Sequence, residues 1–140
     1  MRAMIDHIMV RVKNYQASRD FYDKLLPTIG YQRLMEFGSG AGYGTNGMPA
    51  FWIGGEGEPH PRIHLAFSAK DRASVDAFYA MALKLGAKSD GAPGVREHYH
   101  PNYYGAFVLD PDGHNIEAVC HLPVDAKATA VKAKGAAKKR

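Results

Sequence analysis

Apolar and polar residues along the chain follow one pattern twice. From Met4 to Val12 they alternate, the period of a half-buried strand. From Ser18 to Leu26 the period lengthens: Phe21, Tyr22, Leu25 and Leu26 share one helical face, and Pro27 and Gly30 lie near the helix end. Three extended stretches follow, at 31–37, 41–46 and 49–54, separated by glycine-rich turns. The order then recurs, with a strand predicted over 62–69, a helix over 71–86, and strands near 88–92, 103–109 and 114–121. In the second helix Val75, Phe78, Tyr79, Ala82 and Leu85 form the apolar stripe, and Asp71 is a suitable N-cap.

Landmark residues keep the same spacing. His7 returns as His64 after 57 residues, Phe21-Tyr22 as Phe78-Tyr79 after 57, and Gly30 as Gly86 after 56. Three landmarks in register to within one residue mark an internal repeat. Between the copies, the Gly/Pro-dense run Gly54 to Pro61 reads as an exposed loop. The fold class predicted is α+β: two tandem βαβββ modules, 4–54 and 62–121, within one domain over 1–123. Modules of this size cannot cover both faces of a sheet alone. They must pack on each other or on a second chain.

Charge changes the picture only at one end. The formal charge of the 140 residues is +4. Residues 124–140, an Ala/Lys-rich tail without an apolar stripe, hold six basic residues against Asp125. The remaining 1–123 therefore carry a slight negative balance, which argues against a nucleic-acid face on the folded part. The tail is read as a solvated extension. No apolar run approaches the roughly 20 residues needed to cross a bilayer, and the N-terminus lacks the apolar core of a signal peptide. Cys120 is the single cysteine, which excludes an intrachain disulfide and a cysteine-rich zinc site and points to a reducing, cytoplasmic setting.

Pairing the copies aligns their last strands, so that Trp52 is the counterpart of Glu117. The repeat thereby singles out His7, Trp52, His64 and Glu117, which converge on one cleft if the copies are related by a pseudo-twofold axis. Two imidazoles and a carboxylate (His7, His64, Glu117) suit a divalent ion such as iron, manganese, nickel or zinc and leave positions open. Each alone is as well a structural strand residue, but all three sit among apolar neighbours, where an unpartnered carboxylate is costly. Glu117 is also a candidate proton carrier. The stretch Arg96 to Tyr104 is dense in proton-transfer groups and reads either as a substrate rim or as a polar surface loop. As a rim it offers Arg96 for an anion and His98 or His100 as acid/base. Tyr43, Phe51, Trp52 and Phe107 could line an apolar pocket or fill the core.

Together these residues resemble the vicinal oxygen chelate superfamily, which includes glyoxalases, extradiol dioxygenases, fosfomycin-resistance enzymes and bleomycin-binding proteins. The likeness rests on the His7 strand, the Ser18…Phe21-Tyr22 helix, the His64-Leu65-Ala66-Phe67 strand and Asp110-Pro111-Asp112-Gly113-His114-Asn115-Ile116-Glu117, and it spans 4–121. It implies a cupped sheet around a metal-containing cleft, usually in a homodimer, and a small substrate with vicinal oxygens. The glyoxalase branch ligates its metal with Glu where Trp52 stands, and Arg11 matches an arginine that contacts glutathione there. Its other two glutathione positions are Glu56 and His60 in this chain. The extradiol branch uses His, His and Glu, as do fosfomycin-resistance enzymes, which resembles His7, His64 and Glu117. It adds a His, for which His98 and His100 have suitable spacing, and a Tyr whose position is Phe107, with Tyr103 and Tyr104 nearby. Arg11, Trp52, Arg96, Tyr103 and Phe107 are thus expected to contact substrate, and Glu117, His98, His100 and Tyr104 to serve the reaction. The bleomycin-binding branch implies the alternative, a metal-free protein that sequesters a small molecule.

Overall fold

The structure, a computed structural model, describes residues 5–59 and 61–123. The basic tail and His60 lie outside the described residues. The first module runs β1 (Ile8–Arg11), α1 (Tyr15–Leu25), β2 (Gln32–Phe37), β3 (Gly40–Thr45) and β4 (Met48–Gly54). The second runs β5 (His64–Ser68), α2 (Arg72–Lys84), β6 (Lys88–Val95), β7 (Tyr104–Leu109) and β8 (Asn115–Cys120). Each makes a four-stranded sheet, in the orders β1-β4-β3-β2 and β5-β8-β7-β6. The α+β, two-module architecture is therefore the one the repeat implies. Register is repeated as well, since Met9 faces Trp52 across β1/β4 just as Ala66 faces Glu117 across β5/β8.

The helices begin where a side chain can satisfy their first N–H groups. Asp71 caps α2 as expected, its carboxylate accepting from Ser74 N at 2.8 Å. The first helix starts three residues earlier than its apolar stripe suggests, because Asn14 Oδ1 accepts from Ala17 N at 3.0 Å. A 3-10 turn, Leu26–Ile29, follows α1 and closes at Gly30, whose φ of +94° is matched by Gly86 after α2. A left-handed residue ending a helix favours glycine, which accounts for the third landmark of the repeat. Strand β6 extends to Val95, beyond the predicted 92.

One core serves both modules. It joins Val10, Phe51 and Ile53 of the first sheet to Ala106, Val108, Ile116 and Ala118 of the second, with Phe21, Tyr22 and Leu25 of α1 and Val75, Phe78 and Ala82 of α2 between them. The helices touch each other in that core. Polar groups fasten the seam: the Tyr22 hydroxyl donates to Asp110 Oδ2 at 2.7 Å and Lys13 N donates to Asp112 Oδ1 at 3.0 Å. Burial raises the Asp110 carboxyl above its usual range, against the lowering effect of the Tyr22 hydroxyl and the backbone N–H groups of His114 and Asp112. Since each sheet turns its inner face to the shared core, its other face is left outward. Strand alternation then decides what those faces carry. Tyr43 and Phe51 point inward and are core residues, whereas Trp52 and Phe107 stand on the outer faces.

Candidate functional site

The outer face of the second sheet gathers a polar chain around Glu117. His64 and Asn115 are register partners on β5 and β8, and Glu117 lies two residues along, on the same face. His64 Nε2 is 3.0 Å from Glu117 Oε1, and His64 Nδ1 is 2.5 Å from Asn115 Oδ1. The Asn115 amide nitrogen donates to Asp90 Oδ2, so its oxygen is the atom turned to His64, and His64 Nδ1 must carry a proton. On the other side the Tyr103 hydroxyl donates to Glu117 Oε2. Burial, then the hydrogen bond to Glu117, hold the Tyr103 phenol well above its ordinary pKa of 10.0 and keep it neutral. Glu117 is only 1% exposed, so this shell partners a carboxylate that would otherwise be costly to bury.

Phe107 and Arg96 wall the site on the side of β6 and β7. The Phe107 ring stacks on His64 with centroids 6.2 Å apart, and the Arg96 guanidinium lies 5.2 Å over Phe107. Arg96 is anchored by donating to the carbonyls of Gly94 and Ala92 at 2.9 and 2.8 Å. Beyond Tyr103, His100 Nε2 meets His121 Nδ1 at 2.9 Å. His100 Nδ1 accepts from Asn102 N, so Nε2 is the donor of that pair.

The outer face of the first sheet is different in kind. Trp52 occupies the position equivalent to Glu117, with Met9 and Arg11 on β1 and Phe37 on β2. His7, just ahead of β1, is 2.8 Å from Asp6 and does not join His64 and Glu117. Among the described residues no three His, Cys, Asp or Glu side chains form a metal-sized cluster. The physical reason is the shared core, which turns the two outer faces of one chain away from a common cleft.

With this geometry in hand, likeness to known proteins decides the family. Residues 4–118 match the model of the Glyoxalase/Bleomycin resistance protein/Dioxygenase superfamily. The chain belongs to that superfamily. A glyoxalase/bleomycin resistance protein from Albidiferax ferrireducens T118 is similar at 31% identity and TM-score 0.76, over 84% of this chain and 99% of that one. Two further structures share the fold: a glyoxalase/bleomycin resistance protein/dioxygenase family enzyme from Burkholderia phytofirmans PsJN and a domain of the same description from Frankia sp. EAN1pec. The first has 19% identity and TM-score 0.64, covering 86% of this chain and 100% of that one. The second has 17% identity and TM-score 0.67, covering 87% and 94%. No curated protein matches the chain.

The glyoxalase/dioxygenase superfamily often uses divalent metals, and the donor set on the second sheet fits half of such a site. His64 Nε2 and Glu117 Oε1, an imidazole nitrogen and a carboxylate oxygen 3.0 Å apart, are the donor types that ligate a divalent ion. Of the other residues singled out in the sequence, Tyr103, Phe107 and Arg96 surround Glu117. Trp52 and Arg11 share the first sheet's outer face with His7. Tyr104 is a correction: its hydroxyl donates to Asp76 on α2 at 2.6 Å, on the opposite face from Glu117, because adjacent strand residues alternate. His98 stacks on Tyr99, with centroids 4.2 Å apart, rather than on the carboxylate. Asn115, Asp90 and His121 escaped the sequence reading. Only Asn115 left a signal, two residues before Glu117 on the same strand.

Proposed function

We propose that this protein is a divalent-metal-dependent enzyme of the glyoxalase/dioxygenase type that acts, as a lyase, isomerase or dioxygenase, on a small substrate with vicinal oxygens. The metal would be held by His64 and Glu117 of one chain and by His7 of a second copy, making the working unit a homodimer of 1–123 domains. The carrying observation is the His64 Nε2 and Glu117 Oε1 pair, an imidazole and a carboxylate 3.0 Å apart, with both remaining polar atoms already committed to Asn115 and Tyr103. When bound, the ion supplies Lewis-acid polarisation of the substrate oxygens, as iron, manganese, nickel and zinc all do. The residues themselves orient and hold. Asn115 and Asp90 set the His64 ring, Tyr103 directs Glu117 Oε1 outward, and Glu117 is the group that can exchange a proton with substrate. His100, hydrogen-bonded to His121 and edge-on to Tyr103 with centroids 5.6 Å apart, is the nearest further acid/base candidate. A cytoplasmic setting goes with this reading, Cys120 being a buried free thiol. Among the described residues no helix is long and apolar enough to cross a membrane.

A second reading, a metal-free small-molecule-binding protein of the bleomycin-resistance type, is favoured by the aromatic outer face around Trp52. Elemental analysis separates the two. The parent protein, incubated with iron, manganese, nickel or zinc, is expected to retain stoichiometric metal, and His64→Ala to lose it. No retained metal in either protein would sink the enzyme reading.

A further inference from the structure

We infer that His114 is a positioning residue for His64: its imidazole clasps the backbone just ahead of β5 and thereby fixes the ring that faces Glu117. That the fixed ring serves a metal ion rests on the enzyme reading above; that His114 fixes it does not.

His64 stands where a strand frays most easily. It is the first residue of β5, and β5 is the end strand of its sheet, paired to β8 on one side. Its side chain is 54% exposed. Local opening costs least at such a position unless something holds the chain there. Three contacts hold the two residues ahead of it. The Ile63 N–H donates to His114 Nδ1 at 3.0 Å, the Ile63 carbonyl accepts from Asn115 N at 2.9 Å, and Arg62 Nε donates to the Gly113 carbonyl at 2.6 Å. His114 is itself fixed from the side of the core. Its N–H donates to Asp110 Oδ1 at 2.8 Å, and its carbonyl accepts from Asp110 N at 3.0 Å. Asp110 Oδ2 in turn takes the Tyr22 hydroxyl of α1. A continuous polar path thus runs from the shared core through Asp110 and His114 to Ile63, next to His64.

Packing alone does not account for an imidazole at position 114. The residue is 1% exposed. Because Nδ1 accepts, the ring proton belongs on Nε2, and Nε2 has no hydrogen-bond partner among the described residues. A buried N–H without a partner is costly, and an apolar side chain would avoid that cost. What an apolar side chain cannot do is accept the Ile63 N–H. The first module shows the arrangement without a clasp. In the shared register Asp6 and Pro49 stand where Ile63 and His114 stand in the second module, and a proline side chain accepts no hydrogen bond. His7 lies ahead of β1 rather than in it, and its ring meets the neighbouring Asp6. The two imidazoles are therefore unlike. His64 is set by the fold before any ion arrives, and His7 is the one left to adjust.

Nitrogen NMR of the histidine rings in the full chain, kept in chelator, tests the clasp apart from any metal. In the parent, His114 is expected to carry its proton on Nε2, His64 Nδ1 to read as protonated, and the Ile63 amide to exchange slowly with solvent. His114→Leu removes the acceptor. Exchange at Ile63 should then speed up at least about tenfold, and His64 Nδ1 should move to the averaged shift of a ring that switches tautomers. His114→Asn, whose Oδ1 can accept in place of Nδ1, should restore both signals. A zinc competition titration should show about 10- to 100-fold weaker binding in His114→Leu and near-parent binding in His114→Asn. A His114 proton on Nδ1 in the parent, a His64 signal unchanged in His114→Leu, or no recovery in His114→Asn would overturn the proposal. Should His114→Leu not fold, the parent ring protons and the His114→Asn signals decide in the same way. A parent that retains no zinc sinks the enzyme reading and leaves the clasp to the metal-free signals. Weaker zinc binding without a change at His64 overturns the clasp alone.

Discussion

Tyr103 reaches Glu117 across position 105, where a side chain would stand in the way. A Cβ added at Gly105 would lie 3.1 Å from Glu117 Oε2 and 3.3 Å from Tyr103 Cε1. The hydroxyl thus does for the carboxylate what Asn115 does for His64: it occupies the atom turned away from the open face. Tyr103→Phe removes the only donor, among the described residues, to a buried oxygen. It is expected to destabilise the protein by about 1–3 kcal/mol and to weaken divalent-metal affinity about 10- to 100-fold, the usual cost of losing a group that orients a ligand. Chemical denaturation and a metal-competition titration check the two effects. An unchanged metal affinity would show that Glu117 does not need its hydroxyl partner. This contact was half legible in the sequence. The aromatic loop before β7 was visible, but choosing between Tyr103 and Tyr104 required the strand's phase, and a shift of one residue moves a side chain to the other face.

At the scale of elements, Tyr104 gives the opposite face of β7 a testable signature. Its hydroxyl donates to Asp76 of α2, and the Arg72 guanidinium sits 4.9 Å over its ring. Burial, then the bond to Asp76, raise its pKa from 10.0 to about 12. The fold therefore favours the neutral phenol. That contribution is complete below pH 10, the unfolded value, and is lost as pH rises through about 12. Tyr104→Phe is expected to flatten the fall of stability over this alkaline window relative to the parent, as followed by denaturant midpoints at stepped pH. A parallel fall in both proteins would mean that the β7–α2 contact does not titrate. Element identity itself was well signalled, because alternation on strands and apolar stripes on helices are local. The start of α1 was not, since Asn14 lies outside the apolar stripe and acts through a cap.

For the whole molecule the decisive fact is which faces the modules turn to each other. Because both helices enter one core, the His7 face and the His64/Glu117 face of a chain do not close on a common cleft. A site composed across two chains makes a sharp prediction. His7→Ala and His64→Ala should each fail to hold metal alone. Mixed and reassociated, they should regain a fraction approaching one ion per mixed dimer, because one cleft of that dimer has every ligand intact. Elemental analysis after refolding the mixture reads this directly. If no metal returns, the three residues act within one chain or not at all.

Residue order alone determined the duplication, the α+β class, the helix and strand sequence, and the equivalence of Trp52 with Glu117. These follow from periodicity and spacing, which are properties of neighbours along the chain. Only the tertiary structure decided that His7 stands apart from His64, that Tyr103 and not Tyr104 meets Glu117, and that Gly42 lies under the Trp52 ring. Those outcomes depend on which faces pack into the core and on cross-strand register, and both are set by contacts between residues far apart in sequence.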